Sequence, residues 1–309
     1  YVLNQPISKY EYNWVQDNLV VFTQACFISK ACIFGPNLAD FPIDLPFLRR
    51  KANNNSIFLF PSKWPMNVWE RLHFKEGALR DWSSGVDTEK FYKKTIKEDQ
   101  KILIYFKNRD CESLNYIVNV LNEAKLNFTL FEYGKYDQTQ FFEAIQSSKF
   151  GIWLAGSETQ GYAMLETLSC NLPLLVLGIK SMKEVYNSNG KPMFNQNTLK
   201  NFESISVTSA PYFNEKCGVI IQDIKEFKDS LYLMCVNYRS YEPRKYILDY
   251  FTLDKSANNL IEMFNLIKQE KKNCKINYYY LSIFICYWHH IFKVKSWKFL
   301  KAKLFKSLF

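Results

Sequence analysis

Residues 150–177, FGIWLAGSETQGYAMLETLSCNLPLLVL, join two apolar runs through a polar loop and a helical stretch. The pattern predicts a strand over 150–155, a helix over 159–170 and a strand over 173–177. Two short strands joined by a helix are typical of the crossover unit of a parallel sheet. The stretch therefore places the chain in the α/β class.

The same alternation continues on both sides of this stretch. Apolar runs at 57–60 and 101–106 predict further strands, and the second is followed by Leu114, Ile117 and Leu121 at helical spacing. The remaining predicted elements are a strand at 19–22, a helix through Trp64 and Leu72, a helix at 111–125, a strand at 127–133, a helix at 137–147, and helices at 224–239, 243–251 and 255–268. A turn at 83–87 and the charged run from Lys93 to Lys101 predict the junction of two units.

Polar side chains follow two of these strands. Lys107 and Arg109 come after strand 101–106, and residues 156–161 (Gly-Ser-Glu-Thr-Gln-Gly) come after strand 150–155. Because parallel strands end at one edge of a sheet, both loops should border the same crevice. The second loop opens a helix near Gly161, and a helix N-terminus with a glycine suits a diphosphate. Lys107 and Arg109 would be the opposing cations, although a solvated strand end explains them equally well.

Two glutamates accompany this predicted anion site. Glu158 lies in the loop and Glu166 on the helix that follows it. A carboxylate next to a phosphate pocket needs hydroxyl donors, which a sugar offers. Solvent exposure is the ordinary explanation for such a pair when it stands alone.

The stretch from Gly156 to Val176 resembles the donor-site signature of GT-B-fold glycosyltransferases, particularly the large retaining group 1, or family 4-like, enzymes. The matching features are Glu158, Glu166, the glycine three residues after the first glutamate, and a helix that leads to Pro173 and a strand. In addition, residues 83–91 are similar to the interlobe Gly-Val-Asp segment of this family, and residues 241–244 to the stretch before its closing helices.

The resemblance implies two Rossmann-like lobes and a nucleotide-sugar donor. Glu166 would hold the ribose hydroxyls, Glu158 the transferred sugar, and Lys107 with Arg109 the diphosphate. The other expected donor contacts are Ser157, Gln160, Gly161 and Tyr162. It also implies transfer to a hydroxyl of a glycan, lipid-linked or protein acceptor, with retention of configuration.

On this basis the chain divides into four parts. Residues 1–97 form a short or truncated acceptor-side lobe, and the start at Tyr1 suggests that this lobe is incomplete. Residues 98–240 form the donor-binding lobe. Residues 241–270 form closing helices, and residues 271–309 form a basic, aromatic and helical tail that is a candidate membrane contact.

The sequence predicts neither a metal site nor a cofactor apart from the donor substrate. It has no Asp-x-Asp pair for a metal-bridged diphosphate, only 3 histidines, and no C-x-x-C pair among its 8 cysteines. Thiols without a disulfide framework are typical of the cytosol, so we predict a cytoplasmic protein.

Charge is concentrated in the tail. The net charge is +10, but the first 270 residues are nearly neutral, and residues 271–309 carry lysines without any acid. This distribution argues against a specific nucleic-acid partner. Residues 276–309 fit a helix lying on an anionic membrane surface at the cytosolic face; a membrane span, packing on the body and disorder remain open.

Two other functions stay open. A nucleotide-sugar epimerase of the same fold would release product without an acceptor. A non-catalytic, membrane-associated sugar-nucleotide sensor would bind the donor and turn nothing over.

Overall fold

The structure, a computed structural model, describes residues 14–15, 32–36, 56–72, 78–94 and 101–266. They contain two parallel sheets. The first has four strands in sequence order: β1 (Trp14–Val15), β2 (Ile33–Phe34), β3 (Ile57–Phe60) and β4 (Ala78–Asp81). The second has five strands: β5 (Ile102–Lys107), β6 (Phe128–Glu132), β7 (Phe150–Ala155), β8 (Leu174–Leu177) and β9 (Gly218–Ile221).

A helix lies between β3 and β4 and between each pair of consecutive strands from β5 to β9, as parallel crossovers require. Asp110 and Asp137 cap two of these helices by accepting hydrogen bonds from first-turn backbone amides. The helices are α1 (Lys63–Arg71), α2 (Cys111–Glu123), α3 (Gln138–Ser147), α4 (Tyr162–Ser169), α5 (Gln196–Leu199), α6 (Phe227–Asn237), α7 (Pro243–Tyr250) and α8 (Leu253–Leu266).

The strand order of the second sheet locates its ligand crevice. The order is β6-β5-β7-β8-β9, so the chain first adds a strand on one side of β5 and then continues on the other side. In doubly wound sheets, ligands bind beyond the carboxyl ends of the two strands where this reversal occurs. Here those strands are β5 and β7, whose last residues, Lys107 and Ala155, are paired in register.

The two faces of this sheet are buried by different helices. Tyr105 and Trp153 face α3 and α4 on one side, whereas Ile104 and Ile152 face α2 and α6 on the other. Burial of both faces explains why β5 and β7 are apolar throughout, apart from the terminal Lys107.

The last described helix returns to the first sheet. Trp82 Nε1, just after β4, donates a hydrogen bond of 2.9 Å to the carbonyl of Ser256 in α8. Leu260 of the same helix packs with Ile57 and Leu59 of β3. Chain segments from both ends of the described region thus build the core of the first lobe.

The segment between the lobes lies close to the start of α8. Val86 donates its amide to the carbonyl of Phe251 at 2.8 Å and pairs with Thr252 in an isolated parallel bridge. A Cβ added to Gly85 would lie 2.5 Å from the Thr252 carbonyl oxygen. Glycine is therefore needed at position 85 for close approach.

The α/β class and the two parallel-sheet lobes predicted from the sequence are confirmed. The predicted strand over 57–60 matches β3, the strand over 150–155 matches β7, and the helix predicted over 159–170 begins only at Tyr162. Sequence analysis missed β1, β2, β4 and β9. The strand predicted at 19–22 and the tail at 271–309 lie outside the described residues.

Over the ranges that the structure describes, no helix has both the length and the apolar composition that a membrane span requires.

Candidate functional site

A cavity of about 760 Å³ opens beyond the carboxyl ends of β5 and β7. It contains Lys107, Glu158 and Glu166 together with the first turn of α4. Its wall is strongly aromatic; the aromatic members are Phe91, Tyr105, Tyr133, Tyr136, Phe141, Phe142, Trp153 and Tyr162. The cavity thus coincides with the crevice that the strand order predicts.

Lys107 and Glu158 form the central ion pair of the cavity. Their Nζ and Oε1 atoms are 2.7 Å apart, and the Lys107 ammonium also lies 4.5 Å from the ring centroid of Tyr133. Burial raises the pKa of the Glu158 carboxyl, and the nearby Lys107 opposes this shift. An anion that enters the cavity would compete with Glu158 for the lysine.

The backbone of Glu158 is held on both sides. Its amide donates to the carbonyl of Thr208 at 3.0 Å, and its carbonyl accepts a 2.8 Å hydrogen bond from Nε1 of Trp64. Trp64 belongs to α1 of the first lobe, so this contact crosses between the lobes.

Helix α4 begins at the mouth of the cavity without a side-chain cap. Gly161 occupies the N-cap position in the left-handed conformation, with φ of 72°. The amides of a first helical turn have no partner within the helix, and the helix dipole makes this end electropositive. With Lys107 beside it, this helix start can bind a diphosphate through backbone amides.

Glu166 lies just over one helix turn beyond Tyr162, the first residue of α4, and its side chain lines the same cavity. Burial raises the pKa of its carboxyl, and Lys90, which also lines the cavity, opposes the shift. The half-buried carboxylate can accept hydrogen bonds from ligand hydroxyls.

The segment that presents Lys90 is fixed by Arg244. The guanidinium donates to the carbonyls of Thr88 (3.1 Å), Phe91 (2.9 Å) and Ser169 (2.6 Å). The hydroxyl of Ser169 donates to the Phe91 carbonyl as well. Residues 83–91 and 241–244, matched separately to one family in the sequence, are therefore joined in space.

Stacked aromatic rings form the floor of the cavity. The rings of Tyr105 and Trp153 are neighbours on paired strands and stack at 4.0 Å with an angle of 15°. Tyr136 contacts Tyr105 edge-on at 6.4 Å. Such a floor suits the flat face of a base or the apolar face of a sugar ring.

Arg109 requires a correction. The sequence predicted that it binds the diphosphate, but its side chain is buried, and Nη1 donates to the carbonyls of Leu177 (3.2 Å) and Gly178 (3.1 Å) and, at 3.5 Å, Ala155. Burial lowers the pKa of the guanidinium. Among the described residues, those that line the cavity do not include Arg109. The arginine instead fixes the ends of β7 and β8 by donating to their backbone carbonyls.

The other predicted donor contacts have mixed positions. Gly161 and the exposed Tyr162 line the cavity, whereas Ser157 does not belong to the part of the lining that the structure describes. Gln160 lines it too, but its side chain bonds to the interlobe segment: Nε2 donates to Ser83 Oγ at 2.9 Å and to the Ser84 carbonyl at 3.2 Å. The side-chain amide of Gln160 therefore fixes the interlobe segment, whereas the prediction had it contact the donor.

Sequence analysis missed Lys90 and Trp64. Lys90 had a signal, because it belongs to the recognised segment 83–91 and is the basic residue that follows Gly-Val-Asp. Trp64 had none, since a tryptophan on an amphipathic helix predicts core packing.

Among solved structures, the chain is similar to sucrose-phosphate synthase from Thermosynechococcus elongatus, with 12% identity and a TM-score of 0.48 over 76% of this chain and 67% of that protein. It is also similar to the GtfA/B complex (12% identity, TM-score 0.47, 81% of this chain and 55% of that one). A third similar structure is the catalytic domain of starch synthase IV from Arabidopsis thaliana bound to ADP and acarbose (10%, 0.42, 68% and 55%). The chain therefore spans between about half and two thirds of these proteins. No protein-family model and no curated protein matches it.

Proposed function

We propose that this protein is a glycosyltransferase that moves a sugar from a nucleotide-sugar donor to a hydroxyl acceptor. The observation that carries the proposal is the single cavity in which Glu158, Glu166, Lys107 and the start of α4 meet. This combination of groups would suit a ligand that carries phosphates, sugar hydroxyls and a flat ring.

The diphosphate would rest on the first-turn amides of α4, next to Lys107. When the bond between sugar and phosphate breaks, negative charge grows on the diphosphate. Donors that are already in place stabilise this charge without reorganisation, and removing one such contact typically costs about 2–4 kcal/mol of transition-state stabilisation. Lys107 and the amides of α4 would supply that stabilisation.

The two glutamates would hold the donor on either side of the phosphates. Glu166, near Lys90, would accept hydrogen bonds from the ribose hydroxyls, and Glu158 from the transferred sugar. Both carboxylates are held in partly desolvated positions that hydroxyl donors would satisfy.

The acceptor would enter past the interlobe segment, which contributes Phe91 and Lys90 to the described part of the lining. We propose retention of configuration, with a donor phosphate oxygen taking the acceptor proton, since this route needs no protein base. The route needs no divalent metal either, because Lys107 and the helix amides provide the positive charge.

We place the protein in the cytoplasm. Among the described residues, Cys111, Cys170, Cys217 and Cys235 are free thiols, which suits a reducing compartment. Attachment of residues 276–309 to an anionic membrane surface is part of the same proposal, and binding to vesicles with and without phosphatidylserine tests it.

Thermal unfolding in the presence of UDP, GDP or ADP tests donor binding. A ligand at 100 times its dissociation constant adds about 2.7 kcal/mol of stability, which would raise the melting temperature by several degrees. If all three nucleotides leave the melting temperature unchanged, the proposal is wrong.

Incubation with the corresponding nucleotide sugar then separates the functions. A transferase forms product only with an acceptor and equally well in EDTA. Conversion of the donor without an acceptor would indicate an epimerase, and binding without turnover under any acceptor would indicate a sensor.

A further inference from the structure

A hydrogen bond from the first lobe ends on the backbone of the donor loop. Trp64 Nε1 donates to the Glu158 carbonyl at 2.8 Å, and both groups are buried. The two residues are 94 positions apart in the sequence, so the contact exists only when both lobes are folded and in place.

Trp64 is firmly anchored at the other end of this bond. Its ring packs with Val68 of the same helix and with Ile179 and Val185 of the second lobe, and the residue is 7% exposed. Because buried side chains at native packing density have little freedom, the indole N–H is a fixed point for the loop.

The bond acts on the carboxylate through the backbone. The amide of Glu158 is bonded to Thr208 and its carbonyl to Trp64. The peptide groups on both sides of its Cα are therefore restrained. The two bonds fix the direction of the Cα–Cβ bond of Glu158, from which the carboxylate reaches Lys107 Nζ at 2.7 Å. Without the indole donor, the carbonyl would be buried without its partner, and the loop would have to move to rehydrate it.

We propose that Trp64 is a positioning residue of the donor site, through which the first lobe sets the Glu158 carboxylate for the transferred sugar. This inference rests on the proposed function. It assigns the two parts of the donor to different elements. The first lobe controls recognition of the sugar through Glu158, and Glu166 and the start of α4 recognise the nucleotide without help from the first lobe.

The test compares Trp64→Phe with Trp82→Phe. Trp82 is a matched control, because it is 8% exposed and donates an equivalent 2.9 Å bond to the Ser256 carbonyl, away from the cavity. Each substitution keeps an aromatic ring and removes one indole N–H. General destabilisation should therefore be similar in the two variants.

The first measurement needs no ligand. In protein labelled with ¹³C at the glutamate carboxyl carbons, the Glu158 signal is assigned through its loss in Glu158→Gln and is then titrated. In Trp64→Phe we expect its pKa to move from the raised value toward the ordinary one as the loop opens to water, and in Trp82→Phe we expect no change. An unchanged pKa in Trp64→Phe, or an equal change in both variants, would overturn the proposal.

The second measurement compares affinities for UDP with UDP-glucose, GDP with GDP-mannose and ADP with ADP-glucose. For the pair that binds, Trp64→Phe should weaken the sugar-bearing ligand about three- to tenfold, the range of one hydrogen bond, and leave the plain nucleotide unchanged. Equal weakening of both ligands would contradict the role of Trp64. Failure of every nucleotide to bind the wild type would instead contradict the proposed function, and the carboxyl titration still decides the role of Trp64.

A third measurement covers the case in which Trp64→Phe does not fold. In ¹⁵N spectra of the indole groups, Glu158→Gln should shift the Trp64 signal and leave the Trp82 signal in place. A Trp64 signal that does not respond would also overturn the proposal.

Discussion

Glu158 and Glu166 share one cavity, and each is influenced by a lysine from a different part of the chain. Lys107 from β5 faces Glu158, and Lys90 from the interlobe segment faces Glu166. Burial raises the pKa of both carboxyls, so the ionised form of each is less stable here than in water. Residues that carry such a cost without stabilising the fold are typical of binding sites.

Glu166→Gln should therefore stabilise the ligand-free protein near pH 7. Because burial raises the folded-state pKa of Glu166 above the unfolded value, the protonated carboxyl is the form that the fold favours. Its contribution to stability is complete below the unfolded pKa and is lost as the pH rises through the folded pKa. The melting temperature of the variant should thus exceed that of the wild type at pH 7, and the difference should shrink toward pH 4.

The same substitution should reduce the thermal response to the nucleotide. Glu143→Gln, at an exposed position of α3, is the control and should change neither property. A full nucleotide response in Glu166→Gln would remove this residue from the site.

Arg109→Ala should destabilise the protein without a direct effect on phosphate binding. The substitution leaves buried carbonyls at the ends of β7 and β8 without a donor, at a cost of about 2–4 kcal/mol in the free energy of unfolding. Urea unfolding measures this loss. Nucleotide affinity, measured on the folded fraction, should stay within about twofold of the wild type, and a larger loss would contradict our assignment.

The sequence allowed the residue types of the site to be predicted but not all of their directions. Glu158, Glu166 and Lys107 were predicted from their places after strands and on a helix and from the family resemblance, and all three line the cavity. Arg109, only two residues beyond Lys107, turns into the carbonyls of neighbouring strands, and that choice depends on strand ends that are distant in sequence.

At the scale of elements, the start of α4 is the feature on which phosphate binding depends. Gly161 has φ of 72°, but a Cβ there would meet its nearest neighbour only at 3.8 Å. Gly161→Ala is therefore strained by its backbone conformation and not by lack of space, at about 1–2 kcal/mol. We expect this loss of stability together with weaker nucleotide binding.

Gly190→Ala is the matched control for that prediction. Gly190 has φ of 69° with open space around its Cα, and it lies outside the lining of the cavity in the described structure. Both variants should lose similar stability in urea, but only Gly161→Ala should lose nucleotide affinity. Equal affinities in the two variants would show that the start of α4 does not contact the phosphates.

Elements with strong apolar runs were predictable, and short edge elements were not. β5 and β7 are buried on both faces and therefore apolar throughout, which makes them visible in the sequence. β4 (Ala-Leu-Arg-Asp) and β9 (Gly-Val-Ile-Ile) are edge strands of four residues. Their pairing depends on the strand beside them, and sequence periodicity over four residues cannot show that.

At the scale of the whole molecule, the interlobe segment and α8 tie the two lobes together. Gly85→Ala would drive a Cβ against the Thr252 carbonyl and the Leu253 backbone, so the segment must move away from α8. Overpacking of this kind costs about 1–3 kcal/mol. We expect a lower melting temperature and faster proteolysis between the lobes, with Gly190→Ala again as the control.

The two-lobed plan followed from the sequence, but the course of the last helix did not. Helical periodicity over 255–268 predicted α8 without showing which surface it covers. Its packing on the first lobe, through Ser256 and Leu260, is a long-range choice that the local pattern cannot encode.

The central claim is that a diphosphate binds on the first turn of α4 beside Lys107. A crystal structure of the protein with the nucleoside diphosphate that stabilises it most tests this directly. Our account predicts phosphate oxygens within hydrogen-bond distance of the amides after Gly161 and of Lys107 Nζ, with the ribose next to Glu166. A nucleotide bound elsewhere, or phosphates turned away from α4, would contradict it.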